Sequence, residues 1–157
     1  MSGAGSFLEL RVPPPAVALA AAALMWGIAL ALPSFRVEVP GARWIAGGGL
    51  LAGILIAGAG LMAFRQARTT VNPMRPEETT MLVTTGVYAW TRNPMYLGWL
   101  PMLAGWAAWL ENPGALVVVP LFMLYIARLQ IVPEERALGA KFGAAFDAYR
   151  RRVRRWL

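Results

Sequence analysis

The chain has 157 residues, enough for one domain, and is 58% hydrophobic but only 15% charged, well below the roughly 25% of a soluble domain. It has no cysteine and no histidine, which excludes disulfides, thiolate metal sites and the usual neutral-pH proton shuttle, so no metal is expected. The net charge of +7 is carried between and after apolar runs, as flanking charges of membrane helices are, which sets nucleic acid aside and predicts an all-α integral membrane protein.

In chain order, residues 14–33 are uncharged and long enough for one transmembrane helix. A signal peptide is the competing reading; a single leading positive charge (Arg11), prolines and no convincing cleavage site favour a retained helix. A second span is expected over 44–64. There Gly49 and Gly53 form a small-xxx-small pair that lets two helix backbones approach, which we read as plain packing. Residues 65–94 form the long polar loop, with a short apolar stretch, MLVTTGVYAW, that lies at the interface or packs on the helices.

Two further spans are expected over 95–110 and 115–132, joined by the turn Asn112-Pro113-Gly114 into a tight antiparallel hairpin. The third span rises only about 24 Å, less than the apolar thickness of a bilayer, so its start lies below the headgroups or the bilayer thins there. In 134–157, Leu138, Phe142, Phe146, Tyr149, Val153 and Trp156 recur at helical spacing, predicting an amphipathic C-terminal helix. With four spans, both termini and the 65–94 loop share one side. That side holds most of the arginines, whereas the other has only Arg36 and Arg43, so the rich side is expected to be cytoplasmic; the abundance of arginine, alanine and glycine looks bacterial, so the expected membrane is a bacterial inner membrane.

Two polar motifs stand at the cytoplasmic lip. In Arg92-Asn93-Pro94, proline suits the first helical position and asparagine the N-cap, so the start of the third span can favour an anion. Glu134-Glu135 follows Pro133, which can end the fourth span or start the last helix. Each motif alone reads as helix capping. The hairpin brings them to one opening, where a zwitterionic ligand would suit both, and Tyr88, Trp90 and Tyr96 add aromatic faces for an adenine or a sulfonium.

The stretch GVYAWTRNPMYLGW (86–99), followed by EE at 134–135, FG at 142–143 and a tyrosine before a basic cluster, resembles the isoprenylcysteine carboxyl methyltransferases. It is similar as well to the wider group of membrane methyltransferases that includes phospholipid N-methyltransferases. The resemblance covers about residues 79–155. It implies an S-adenosylmethionine-dependent methyltransferase acting on a membrane lipid or apolar small molecule through a carboxylate, amine or thiol. It also implies a cofactor site at Thr80, Met81, Leu82, Val83, Tyr88, Asn93, Pro94, Met95, Tyr96 and Glu134. Arg92 and Glu135 are catalytic candidates, and Arg128 and Gln130 are expected to face the substrate. Two positions depart from the family: Asn93 stands where it has histidine. Gln130 stands where the isoprenylcysteine enzymes place an arginine thought to meet the substrate carboxylate, and Arg128 lies about 200° around the helix from it. The alternatives are a non-enzymatic accessory or sensor protein that keeps the fold and a reductase-like fragment.

Overall fold

The computed structural model describes residues 9–69 and 74–157; the 70–73 part of the expected polar loop lies outside them. The described residues form helices and turns with no strand. Helix α1 (Pro14–Ala31) and α2 (Ala42–Gln66) match the first two expected spans. Helices α3 (Pro94–Leu97) and α4 (Trp99–Leu110) together make the third. Beyond the Asn112 turn, one continuous helix runs over 113–142 and includes α5 (Val118–Ile126) and α6 (Val132–Phe142). A last short helix, α7 (Ala144–Arg152), follows. Three of these helices are long and apolar enough to cross a membrane (Pro14–Ala31, Ala42–Gln66 and Pro113–Phe142), while α3–α4 is shorter. The protein is an all-α integral membrane protein.

Close backbone approach fixes the α2–α4 pair, the most extensive contact in the fold. A Cβ added at Gly49 or Gly53 would collide with the carbonyl oxygens of Pro101 or Gly98, and one at Gly105 would come within 3.1 Å of Ala46. The small-xxx-small pair therefore does pack, and its partner is α4. Helix α1 docks on the other flank of α4 and on α5. Ala18, Ala21 and Met25 meet Leu103, Ala107, Val118, Phe122 and Ile126 in the main core, and the Trp106 indole donates to the Ala22 carbonyl at 3.0 Å. The expected hairpin exists, but α1 is wedged against it. Buried Asn112 accepts from the Gly114 N–H at 3.0 Å and donates to the Leu32 carbonyl at 2.9 Å, so the end of α1 is tied into the turn.

At the same end, Arg36 pairs with Glu111 at 2.7 Å, holding its carboxyl below the usual range, and the Val37 N–H donates to the Glu111 carbonyl at 2.8 Å.

The fourth span does not stop near Pro133. Residues Ala127–Ile131 form a π turn, in which the Val132 N–H reaches back five residues to the Ala127 carbonyl. That widening lets the helix absorb a proline that would otherwise break it. Pro133 has no N–H for the Leu129 carbonyl, and that carbonyl accepts instead from the Leu10 N–H at 3.0 Å. The N-terminal segment is further held by Gln130 Nε2 on the Val12 carbonyl (2.7 Å) and by Glu9 on Arg136 (3.0 Å). The expected single C-terminal helix over 134–157 is instead two pieces. Gly143, at φ +48° and ψ −123°, breaks it in a conformation essentially reserved for glycine, and residues 153–157 leave α7 as a non-helical tail.

Candidate active site

The start of α3 meets the start of α6, as the hairpin requires. The Tyr96 hydroxyl donates to Glu134 Oε2 at 3.2 Å across 38 residues of chain. The neighbouring Glu135 turns the other way. It accepts from Arg155 (Nη2 at 2.6 Å, Nε at 3.2 Å) and pairs with Arg92 Nη2 at 3.1 Å. Two guanidiniums thus occupy this carboxylate, and the Arg155 guanidinium is held above its ordinary range by those bonds. Arg92 Nε is buried with no partner among the described residues.

The C-terminal tail closes this end of the site through backbone bonds. The Arg92 N–H donates to the Arg154 carbonyl at 3.0 Å, and Thr91 Oγ1 and Asn93 Nδ2 donate to the Arg155 carbonyl at 3.3 and 2.9 Å. Asn93 does occupy the N-cap position of α3, but its side chain makes no cap hydrogen bond and binds the tail instead. Helix α3 is also a single turn, so the expected anion-favouring helix N-terminus reduces to one short turn. The buried Tyr149 hydroxyl donates to the Tyr88 carbonyl at 2.8 Å, and Tyr88 stacks edge-on to Phe64 with centroids 5.3 Å apart. Burial pushes both tyrosines above their ordinary ionisation range, Tyr88 further because it faces Glu134, so both are neutral phenols.

Two cavities meet here and share part of their walls. One is narrow, about 40 Å³, bounded by Met81, Leu82, Val83, Glu135, Leu138, Phe146 and Tyr149. The other is wide, about 440 Å³, and mostly apolar, between α2 and α3–α4 with Pro14 and Pro15 at its edge. Phe64, Thr79, Tyr88, Arg92, Asn93 and Glu134 line both.

Of the residues expected at the cofactor, Met81, Leu82, Val83, Tyr88, Asn93 and Glu134 line the narrow cavity, and Met95 and Tyr96 line the wide one. Thr80 lines neither: its N–H and hydroxyl bond Thr69 Oγ1 at 2.9 and 3.1 Å, and Thr79 takes its place. Pro94 is buried against Gly60, and Trp90 is 78% exposed, outside both cavities. Arg128 and Gln130, expected to face the substrate, line neither cavity. Gln130 is fully buried and points at Val12, because the π turn rotates it toward the N-terminal segment. Phe64 was not anticipated; an aromatic residue at the end of an apolar run carries no sign of which loop it will meet.

A helical membrane protein with two cavities meeting at a polar wall is the class that fold and site define. The family profile described as phospholipid methyltransferase matches residues 42–145, and the chain belongs to that family of membrane methyltransferases. Among curated proteins it is 34% identical to the protein-S-isoprenylcysteine O-methyltransferase of Rattus norvegicus over 76% of this chain and 43% of that protein. It is 38% identical to the Homo sapiens protein of the same name over 48% of this chain and 27% of that one. An uncharacterized Haemophilus influenzae protein is 44% identical over 40% of this chain and its own whole length. The match thus spans less than half the length of these methyltransferases. No solved structure matches the chain.

Proposed function

We propose that the protein transfers a methyl group from S-adenosylmethionine to a lipid-like acceptor, with the cofactor at the narrow cavity and the acceptor's apolar part in the wide one. The observation that carries this reading is the shared wall: Tyr88, Arg92, Asn93 and Glu134 face a cavity closed by the C-terminal segment on one side and an apolar cavity on the other. The donor set fits a zwitterionic, cationic cofactor. Glu134 offers a carboxylate whose hydrogen-bond partner is one neutral hydroxyl, and the buried Arg92 Nε has a free N–H for a carboxylate. The bound cofactor supplies an electrophilic methyl on a sulfonium.

The chain's own part is alignment and exclusion of water. Tyr96 fixes the orientation of Glu134, Glu135 holds Arg92 against the wall, and the apolar cavity presents the acceptor to that wall. Glu135 is already shared by two arginines, so its role is to position Arg92 rather than to remove a proton. The narrow cavity is too small for a nucleoside as it stands, so residues 79–83 or the C-terminal tail must part to admit one. A carboxylate acceptor would not meet Gln130, which faces away from both cavities.

Calorimetry on the detergent-solubilised protein tests the assignment. S-adenosylmethionine should bind, and Glu134→Ala and Tyr96→Phe should each weaken binding about tenfold or more, the order expected when a charged group loses a hydrogen bond. Unchanged affinity in both variants would remove the cofactor from this wall.

A further inference from the structure

Helix α2 carries two kinds of glycine. Gly49 and Gly53 are packing glycines, with α4 backbone where a side chain would be. Gly58 is different. A Cβ added there meets nothing within 4 Å, yet the residue lines the wide cavity. It belongs to the stripe Ile54, Ala57, Gly58 and Leu61, spaced three and four apart, so one face of α2 forms the cavity's side. Across from it stand Met95, Trp99 and Met102. A missing side chain on this face is cavity volume, whereas a missing side chain at Gly53 is helix contact.

The place of Gly58 along the helix matters as much as its size. Phe64, at the polar wall, is six residues further on, about 9 Å along the axis. Ile54 is about 6 Å in the other direction and half exposed, so the cavity continues past Gly58 toward the membrane-facing surface. An acceptor whose reactive end lies at the wall must therefore pass Gly58 if its apolar chain is longer than roughly 9 Å. We propose that Gly58 is a size-determining residue of the acceptor site, and that its absent side chain admits a long unbranched hydrocarbon chain. This rests on the acceptor reading of the wide cavity. It goes beyond it in naming the residue that sets how long an apolar chain the site accepts.

The test uses detergent-solubilised protein and diazirine-tagged fatty acids with hexyl and hexadecyl chains, with crosslinks mapped by peptide mass spectrometry. The hexadecyl probe should label the wall carrying Trp99 and Met102 in the wild type. Gly58→Phe should reduce that labelling at least about tenfold, with Gly58→Leu intermediate, since a pocket that loses room for part of a chain discriminates by factors of that order. Labelling by the hexyl probe should be unchanged. Gly48→Leu, exposed and outside the cavity, is the control and should change neither. Hexadecyl labelling retained by folded Gly58→Phe and Gly58→Leu, judged by unchanged thermal midpoints, overturns the proposal. A second readout separates it from the reaction itself: transfer of labelled methyl from S-adenosylmethionine to alkyl amines, acids and thiols of the two chain lengths. If no acceptor is methylated but labelling falls as expected, the methyl-transfer reading fails and the role of Gly58 stands. If methylation proceeds and Gly58→Phe leaves its chain-length ratio unchanged, the role of Gly58 fails and the reaction stands.

Discussion

Glu135 shows how one side chain can hold two others in place. It is largely buried, and it receives hydrogen bonds from Arg155 and an ion pair from Arg92, itself largely buried. Removing the acceptor leaves two guanidiniums unmatched, one of them away from water, which is costlier than losing a surface pair. Glu135→Ala should therefore lower stability by about 2 kcal/mol, whereas Arg155→Ala, at a half-exposed group, should cost less than about 1 kcal/mol. Thermal unfolding in detergent compares the two, and equal effects would show that Arg92 does not depend on Glu135. The meeting of Tyr96 with Glu134 was legible in the sequence, because the Asn112-Pro113-Gly114 turn leaves the two helices no other way to return. The direction of Gln130 was not. It is decided by the Val12 carbonyl, 118 residues earlier, and by a π turn that no local pattern announces.

At the scale of elements, close packing and helix continuity have different visibility. The glycines of α2 advertised a close contact, but a small-residue pair does not name its partner, and they are met by Gly98, at the junction of α3 and α4, and by Gly105 of α4. Substituting Gly53→Leu forces a side chain against the Gly98 carbonyl and the Met102 side chain, so α2 and α4 must separate. We expect a loss of about 1–3 kcal/mol, read as a lowered thermal midpoint, with Gly47→Leu, which meets nothing within 4 Å, close to neutral. Equal tolerance at the two positions would place the α2–α4 contact elsewhere. Pro133 was misleading for the opposite reason. A proline after an apolar run normally ends a helix, but here the π turn and the Leu10 N–H supply what the proline lacks. The break falls at Gly143 instead, and it turns α7 back so that Phe146, Tyr149 and Val153 pack on Leu82, Leu138 and Phe142.

For the molecule as a whole, the two ends are tied separately. Arg36 and Val37 bind Glu111 at one end, and Arg92 and Asn93 bind the 154–155 backbone at the other. Helices α3 and α4 run between these ends in 17 residues, about 26 Å, short of an apolar core of about 30 Å. A shortfall at the Pro94 end would put the polar wall at membrane depth and open the wide, mostly apolar cavity to the bilayer. From the distribution of arginine we predict that this end faces the cytoplasm. Because the chain contains no cysteine, single substitutions can report this without background. Ser34→Cys, Glu78→Cys and Arg151→Cys lie at exposed positions. In sealed right-side-out vesicles a membrane-impermeant maleimide should label only the cysteine at position 34, and in inverted vesicles only those at 78 and 151. Labelling at 151 but not 78 from the same side as 34 would mean that one of α3–α4 and the 113–142 helix does not cross the bilayer, and labelling at 78 from that side would mean that α2 does not cross it. Either outcome would overturn the predicted topology and, with it, the proposed access of a cytoplasmic cofactor to the polar wall.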